Sequence, residues 1–353
     1  MSACRIDLLE EDAARSLTGV PVERLADKTV LVTGASGLIG TQMLMGLAYC
    51  QMELGIPIDV VAVVRSSVPE HLRPYAESGL ATFLTGDLNE RELMDSLPRA
   101  HVIVHAATYG QPMKFLDEAV ATLKLNTAVT CALLDKVIPG GHFLFCSSSE
   151  VYSGLNDSPY GEDQIGTTTP AHLRSSYIEG KRCGEAMCHA YRTHGVDAKV
   201  ARLSLAYGPG TRTGDARVLN SFIEQALSKG EIRLRDRGEA NRTYCYVADA
   251  VHMLWMILLD GKQATPPNKG GYPVYNVGGI SGTTIVELAN LIGRWLGVPV
   301  IVPPDDRDRV AGAVGNGQMS ISRYADEFGP VEFMGLPEGL ARTIAWQRGI
   351  YER

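Results

Sequence analysis

The sequence predicts an α/β chain built on a doubly wound parallel sheet, with a smaller C-terminal α/β lobe. Three observations predict it. From Thr29 to Leu203, short apolar runs alternate with stretches of helical periodicity, the pattern of a parallel sheet covered by helices on both faces. The first apolar run, Val30-Leu31-Val32-Thr33, leads straight into Gly34-Ala35-Ser36-Gly37-Leu38-Ile39-Gly40, a G-x-x-G-x-x-G turn that opens a helix. After Tyr207 the alternation gives way to loop chemistry (Gly208, Pro209, Gly210, Gly214) and a less regular tail.

The elements follow in order. Residues 1–28 read as an N-terminal helical extension, with Ile6, Leu8, Leu9 and Leu17 apolar and Pro21 ending it. Residues 29–206 read as a dinucleotide-binding domain. Its strands are expected at 29–33, 59–64, 82–84, 101–106, 143–146 and 198–203. Its helices are expected at 38–54, 90–97, 114–137 (one long helix) and 176–194. Residues 207–353 read mainly as a substrate-binding lobe. It should hold helices at 218–229, 247–260 and 284–296, short strands near 232–234 and 300–302, and a Pro/Gly-rich loop at 261–273.

Composition narrows the class. The chain has 353 residues, an ordinary apolar fraction and a net charge of −7, which argues against a nucleic-acid surface. No apolar run is long enough to span a membrane, and the acidic N-terminus (Asp7, Glu10, Glu11, Asp12) has no signal core. The seven cysteines show no C-x-x-C pair. That fits reduced cytoplasmic thiols and no metal site, with Cys183 and Cys188 read as buried small apolar residues.

The glycine turn has either a structural or a cofactor reading. In the second, Gly34 permits the tight turn, Gly37 admits a pyrophosphate to the backbone, and Gly40 lets helix and strand pack closely. Ser36, Leu38 and Ile39 complete that cradle at a helix N-terminus. Arg65, after the second strand, suits the 2′-phosphate of NADP, although an arginine can also stack on the adenine of NAD. Asp87 and Leu88 are placed to meet the adenine; alternatively Asp87 caps a helix, with Glu90 three residues on. Ala106 and Ala107 are small where a cofactor passes close.

The sharpest constellation is Ser148-Ser149-Glu150 with Tyr177-x-x-x-Lys181. Tyr177 and Lys181 share one helix face. A lysine ammonium nearby lowers a phenol's pKa, so Tyr177 can act as a base, and Ser148 can hydrogen-bond the same substrate hydroxyl.

With these residues the chain resembles the extended short-chain dehydrogenase/reductases, and more closely their nucleotide-sugar epimerase/dehydratase branch. The resemblance rests on Thr33 to Gly40, His105-Ala106-Ala107, Ser147 to Tyr152, Tyr177 to Lys181, Ala201-Arg202-Leu203 with Tyr207-Gly208-Pro209-Gly210, and Arg242 to Asp249. It implies a Rossmann fold and an NAD- or NADP-dependent cytoplasmic homodimer. The dimer would form through the helices bearing Asn126 and Tyr177, with Leu123, Leu133, Met187 and Tyr191 available. It implies Ser148, Tyr177 and Lys181 as the catalytic triad, with Lys181 also on the nicotinamide ribose and Asn126 as the family's structural asparagine. The substrate would be a nucleotide-diphosphate sugar, met by Thr108, Ser149, Tyr207, Arg217 and Arg242.

Oxidation at C4 makes C5 and C3 acidic, so one oxidation opens several routes. A carboxylate beside the triad suits proton abstraction at C5 and loss of the C6 hydroxyl. Glu150 therefore points to a 4,6-dehydratase, ahead of an epimerase, a UDP-glucuronate-type decarboxylase or a 4-keto reductase; a cofactor-binding sensor is the non-enzymatic alternative. Ser149 departs from the dTDP-glucose dehydratases, which have aspartate, and agrees with the GDP-mannose dehydratases and the decarboxylases. Gly317 stands where decarboxylases carry a substrate-binding arginine, with Arg307 and Arg309 as other candidates. Leu205 stands where the family usually has asparagine.

Overall fold

The computed structural model describes residues 2–262, 273–304 and 317–351. In chain order these form α1 (Ser2–Ser16), β1 (Lys28–Thr33), α2 (Leu38–Met52), β2 (Ile58–Val64), α3 (Arg73–Glu77), β3 (Thr82–Thr85), α4 (Arg91–Ser96) and β4 (Ala100–His105). Next come α5 (Pro112–Asp117), α6 (Ala119–Asn126), α7 (Ala128–Leu134), β5 (Val137–Ser148), α8 (Ser175–Arg192), β6 (Asp197–Leu203) and β7 (Leu205–Tyr207). The remainder is α9 (Val218–Lys229), β8 (Ile232–Arg233), β9 (Asn241–Tyr246), α10 (Val247–Asp260), β10 (Val274–Val277), β11 (Ser281–Thr284), α11 (Ile285–Leu296), β12 (Val300–Ile301), α12 (Ser322–Phe328) and α13 (Leu336–Tyr351).

Seven strands form the central sheet in the order β10-β6-β5-β4-β1-β2-β3, all paired in parallel. The order reverses between β1 and β4, the switch point at which ligands of such sheets bind. Strands β1, β4 and β6 are buried on both faces; β1 and β4 carry the apolar runs Val30–Val32 and Val102–Val104, while β6 buries Lys199 and Arg202 as ion pairs with Asp197 and Glu185. One apolar cluster under the sheet joins α2, α10 and the α1 residues Leu9, Ala13 and Leu17; the other face is covered by α7 and α8. A third cluster gathers α9, α11 and α13 around Tyr207, Tyr244 and Tyr246. Helix α11 shows the local logic. Thr284 and Glu287 make a reciprocal capping box, and Gly297 ends the helix at φ +67°.

Several expectations are corrected. The long helix at 114–137 is three short ones, α5, α6 and α7. The Asn126 side chain donates to the Thr122 carbonyl at 2.8 Å, and the chain leaves helical geometry at Thr127 (φ −120°, ψ −84°). Strand β5 begins at Val137 rather than Phe143, because a register shift lets the Pro139-Gly140-Gly141 stretch loop out of the pairing with β4. A seventh strand, β10, returns from the C-terminal part of the chain to pair with β6. Asp87 does not cap α4; it accepts from the Asn89 amide at 2.9 Å, and Glu90 holds the N-cap position. Cys188 is buried but Cys183 is exposed. Leu133 is fully buried against the sheet, with Met187 and Tyr191 packed on the same cluster, so of the four proposed dimer residues Leu123 alone is largely exposed. Among the described residues no helix is long and apolar enough to cross a membrane.

Candidate active site

The site gathers at the carboxyl ends of β1, β4 and β5. Gly34 takes φ +69°, and a Cβ there would fall 2.6 Å from Ala107 backbone atoms. A Cβ on Gly40 would fall 2.2 Å from the Gly34 carbonyl. Both positions therefore exclude any side chain, and Ala106 and Ala107 lie against the turn. Gly37 is the N-cap of α2 and supplies no side-chain acceptor. The first-turn amides at Leu38, Ile39 and Gly40 are thus left for an anion. This cradle fits the pyrophosphate of a dinucleotide.

At the ribose side, Arg65 lies 3.8 Å from Asp87 and 4.9 Å over the Tyr109 ring. Arg65 is therefore shared between a carboxylate and an aromatic face. Leu88 is buried in the sheet cluster. Asn126 is fully buried and meets Thr108 Oγ1 at 3.5 Å. His105 bridges β1 and α6, touching Thr33 Oγ1 at 2.8 Å and the Leu125 carbonyl at 3.2 Å. Burial first, then Lys181, pushes its pKa down to about 3, so it is neutral at neutral pH.

Ser148 ends β5, and its Oγ accepts from the Glu150 amide at 3.2 Å, capping the 3-10 turn Ser149–Tyr152. Tyr177 lies in the first turn of α8 and Lys181 one turn further on. Burial pushes the Tyr177 phenol up to about 12. The Glu150 charge adds to this, while a hydrogen bond with Ser148 and the charges of Arg174 and Arg217 oppose it. Lys181 is not among the main influences on the phenol. Its ammonium instead donates to the Cys146 carbonyl at 2.7 Å and lies 5.8 Å from the Tyr177 ring centre. Burial pulls Lys181 down to about 8.

Three residues escaped the sequence reading. Arg174 holds Glu150 in a two-point fork: Nε donates to Oε2 at 2.8 Å and Nη2 donates to Oε1. Phe115 of α5 stacks on Tyr177 with ring centres 4.7 Å apart, and the Arg174 guanidinium lies 4.8 Å over Phe115. Arg212 donates to the Ser36 carbonyl at 2.5 Å. No spacing rule ties Arg174 to Glu150 across 24 positions. Phe115 was lost in the misread long helix.

The substrate residues are more dispersed. Arg217 is engaged by Asp215 through Nε at 2.9 Å, yet its charge still reaches Tyr177. Tyr207 is 2% exposed and packs edge-on against Tyr244 and Tyr246 inside the C-terminal cluster. Arg242 pairs by backbone with Gly317. A Cβ on Gly317 would lie 2.8 Å from the Tyr160 ring, which stacks on Tyr152 and donates to the Leu155 carbonyl. An arginine at 317 would therefore have to displace a fixed aromatic ring. Arg307 and Arg309 lie outside the described residues. Leu205 is exposed.

Residues 30–278 match the model of the NAD dependent epimerase/dehydratase family. UDP-glucuronic acid decarboxylase 1 of Xenopus tropicalis is 29% identical over 282 residues, covering 78% of this chain and 63% of that protein. The chain therefore spans less than two thirds of that relative. Among solved structures, MoeE5 in complex with UDP-glucose and NAD superimposes with a TM-score of 0.70 at 26% identity, over 91% of this chain and 99% of that one. UDP-glucose 4-epimerase of Thermotoga maritima, with UDP-glucose, gives 0.72 at 26% identity and the same coverage.

Proposed function

Because this chain belongs to the NAD dependent epimerase/dehydratase family, we propose that it oxidises a nucleotide-diphosphate sugar at C4 and then removes water across C5 and C6. The observation that carries this reading is Glu150, a carboxylate held beside the Tyr177 phenol and close enough to act on it. A simple 4-epimerase has no use for a carboxylate there. When bound, the nicotinamide cofactor would supply the redox chemistry, taking the C4 hydride and giving it back at C6 after water has left, while a proton returns to C5. Ser148 orients the C4 hydroxyl and Tyr177 takes its proton. The 4-keto group then makes the C5 proton acidic, Glu150 removes it, and the C6 hydroxyl leaves as water. Lys181 meets the nicotinamide ribose, and Arg217 and Arg242 take the diphosphate. MoeE5, whose structure carries NAD with a UDP-sugar, supports NAD as the cofactor, while Arg65 favours NADP.

Glu150→Gln tests the reading in deuterated water. Its expected result is loss of deuterium entry at C5, roughly 10²–10⁴-fold, with C4 oxidation still detectable. Full-rate entry at C5 contradicts the assignment.

Decarboxylation is the second reading. The Xenopus relative favours it, and Arg242 stands beside Gly317, where a guanidinium could meet a substrate carboxylate. Release of carbon dioxide from UDP-glucuronate would decide for it. We also propose a homodimer through α6 and α8, since Val120 and Leu123 are exposed on α6; light scattering of the purified chain tests this.

A further inference from the structure

Arg212 has no part in the assignments above. It closes the segment Tyr207-Gly208-Pro209-Gly210-Thr211, which leads from β7 toward the C-terminal lobe. Two contacts fix that segment on the first turns of α2, and a third ties it to α13. Gln42 Nε2 donates to the Pro209 carbonyl at 3.0 Å, and Trp346 Nε1 donates to the Thr211 carbonyl at 2.8 Å. Gly210 lies against Leu38 and Thr41, where a Cβ would sit 3.5 and 3.4 Å from their side chains. At the end of the segment the Arg212 guanidinium turns onto Ser36, donating from Nε to its carbonyl and from Nη2 to its hydroxyl.

Arg212 is exposed as a residue, but its guanidinium end is partly buried against Ser36, and that partial burial pulls it below the usual arginine value. Arg212 and Arg5 both act on His71, and burial with these two cations brings that imidazole down to about 4. Glu70 acts on His71 in the opposite sense. His71 follows β2, the strand whose end faces the adenosine ribose in such folds. Ser36 immediately precedes the α2 N-cap. The Arg212 guanidinium therefore lies on the phosphate turn through Ser36, its charge reaches His71, and among the described residues it makes no salt bridge to a carboxylate.

We propose that Arg212 is a phosphate-binding residue of the cofactor cradle, supplied by the segment that leads into the C-terminal lobe. This rests on the dinucleotide reading of the glycine turn. Guanidinium donors fork onto phosphate oxygens in a way an ammonium cannot, and the serine contacts are exchanged for that stronger pairing. Two phosphates offer this chemistry: the bridging pyrophosphate of either dinucleotide, and the 2′-phosphate of NADP.

The test is equilibrium binding of NAD and of NADP to the full chain by calorimetry, without turnover, for wild type, Arg212→Gln and Arg212→Lys. The expected result is a tenfold or greater loss of affinity in Arg212→Gln, partly recovered by lysine, with an unchanged melting temperature of the ligand-free protein. Equal losses for both dinucleotides assign the pyrophosphate; a loss confined to NADP assigns the 2′-phosphate. Unchanged affinity for both dinucleotides in Arg212→Gln, with wild type binding, overturns the inference alone. A wild-type chain that binds neither dinucleotide overturns the cofactor reading and this inference together.

Discussion

Two glutamate–arginine pairs flank the same stretch of β5, and their surroundings differ. Glu185 of α8 and Arg202 of β6 are each 3% exposed. Arg202 donates to Glu185 at 2.8 and 3.0 Å, to the Tyr152 hydroxyl at 2.7 Å and to the Glu162 and Gln164 carbonyls. Ser147 donates to Glu185 from the other side. Every group in that pair is spent on joining α8, β5 and β6, which is what makes a buried ion pair tolerable. Glu150 and Arg174 share the same fork but little of this saturation. Their side chains keep 14% and 7% exposure, and the neighbours are Tyr177 and Ser148 rather than backbone carbonyls. Pairing alone therefore does not distinguish the two; what differs is that the Glu185 pair is saturated by fixed partners, while the Glu150 pair, on the proposed reading, stays available beside Tyr177.

The comparison can be broken by mutation. The largest effect should come from Tyr177→Phe, which removes the proton acceptor and should abolish measurable turnover while leaving the cofactor bound; unchanged turnover would remove the triad assignment. Glu185→Ala should lower stability by about 3–5 kcal/mol, because Arg202 is left buried without a counter-charge. Denaturant melts of Glu185→Ala and Glu150→Gln side by side check this, and an equal cost for both would erase the distinction between the two pairs.

Lys181 gives a pH-dependent prediction of middle size. Its folded pKa of about 8 lies below its ordinary 10.5. Between those values the unfolded chain binds a proton that the folded chain does not, so stability rises with pH across that window. Below pH 8 the folded state carries the full burial cost. Lys181→Met should therefore melt higher than wild type at pH 7, by up to about 3 kcal/mol. The gap should close as pH climbs from 8 toward 10. A gap that does not change with pH would mean that burial is not what depresses the ammonium. The smallest effect is expected from exposed Arg65: Arg65→Ala should weaken NADP more than NAD in binding titrations, and equal losses would indicate stacking on the adenine.

Much of the fold was legible because the sheet is buried on both faces. Strands β1, β2, β4 and β6 were expected within a residue of their ends, since short stretches rich in apolar residues are bounded there by turn and helix signals, even though β6 also carries Lys199 and Arg202. Helices α9 and α10 matched at both ends. The break at Asn126 was not legible, for no glycine or proline marks it; it comes from a side chain bonding its own preceding turn. Strand β10 was missed because four residues between loops carry too little periodicity to declare a strand.

At the site, the glycine turn and the Tyr177/Lys181 spacing were visible as local patterns. What reaches them from a distance was not. Arg174 is set by the start of α8, Arg212 by a loop folding back onto α2, and Tyr160 by its stack on Tyr152. The departure at Gly317 could be read from the chain, but its physical consequence, a ring standing where an arginine would begin, appears only in three dimensions.

The central claim is that C4 oxidation here leads on to loss of water. It is tested most directly by incubating the purified chain and cofactor with a panel of nucleotide-diphosphate hexoses and UDP-glucuronate, then recording product masses. The expected result is a hexose product lighter by one water. A product of unchanged mass, or carbon dioxide released from UDP-glucuronate with every hexose untouched, would contradict it.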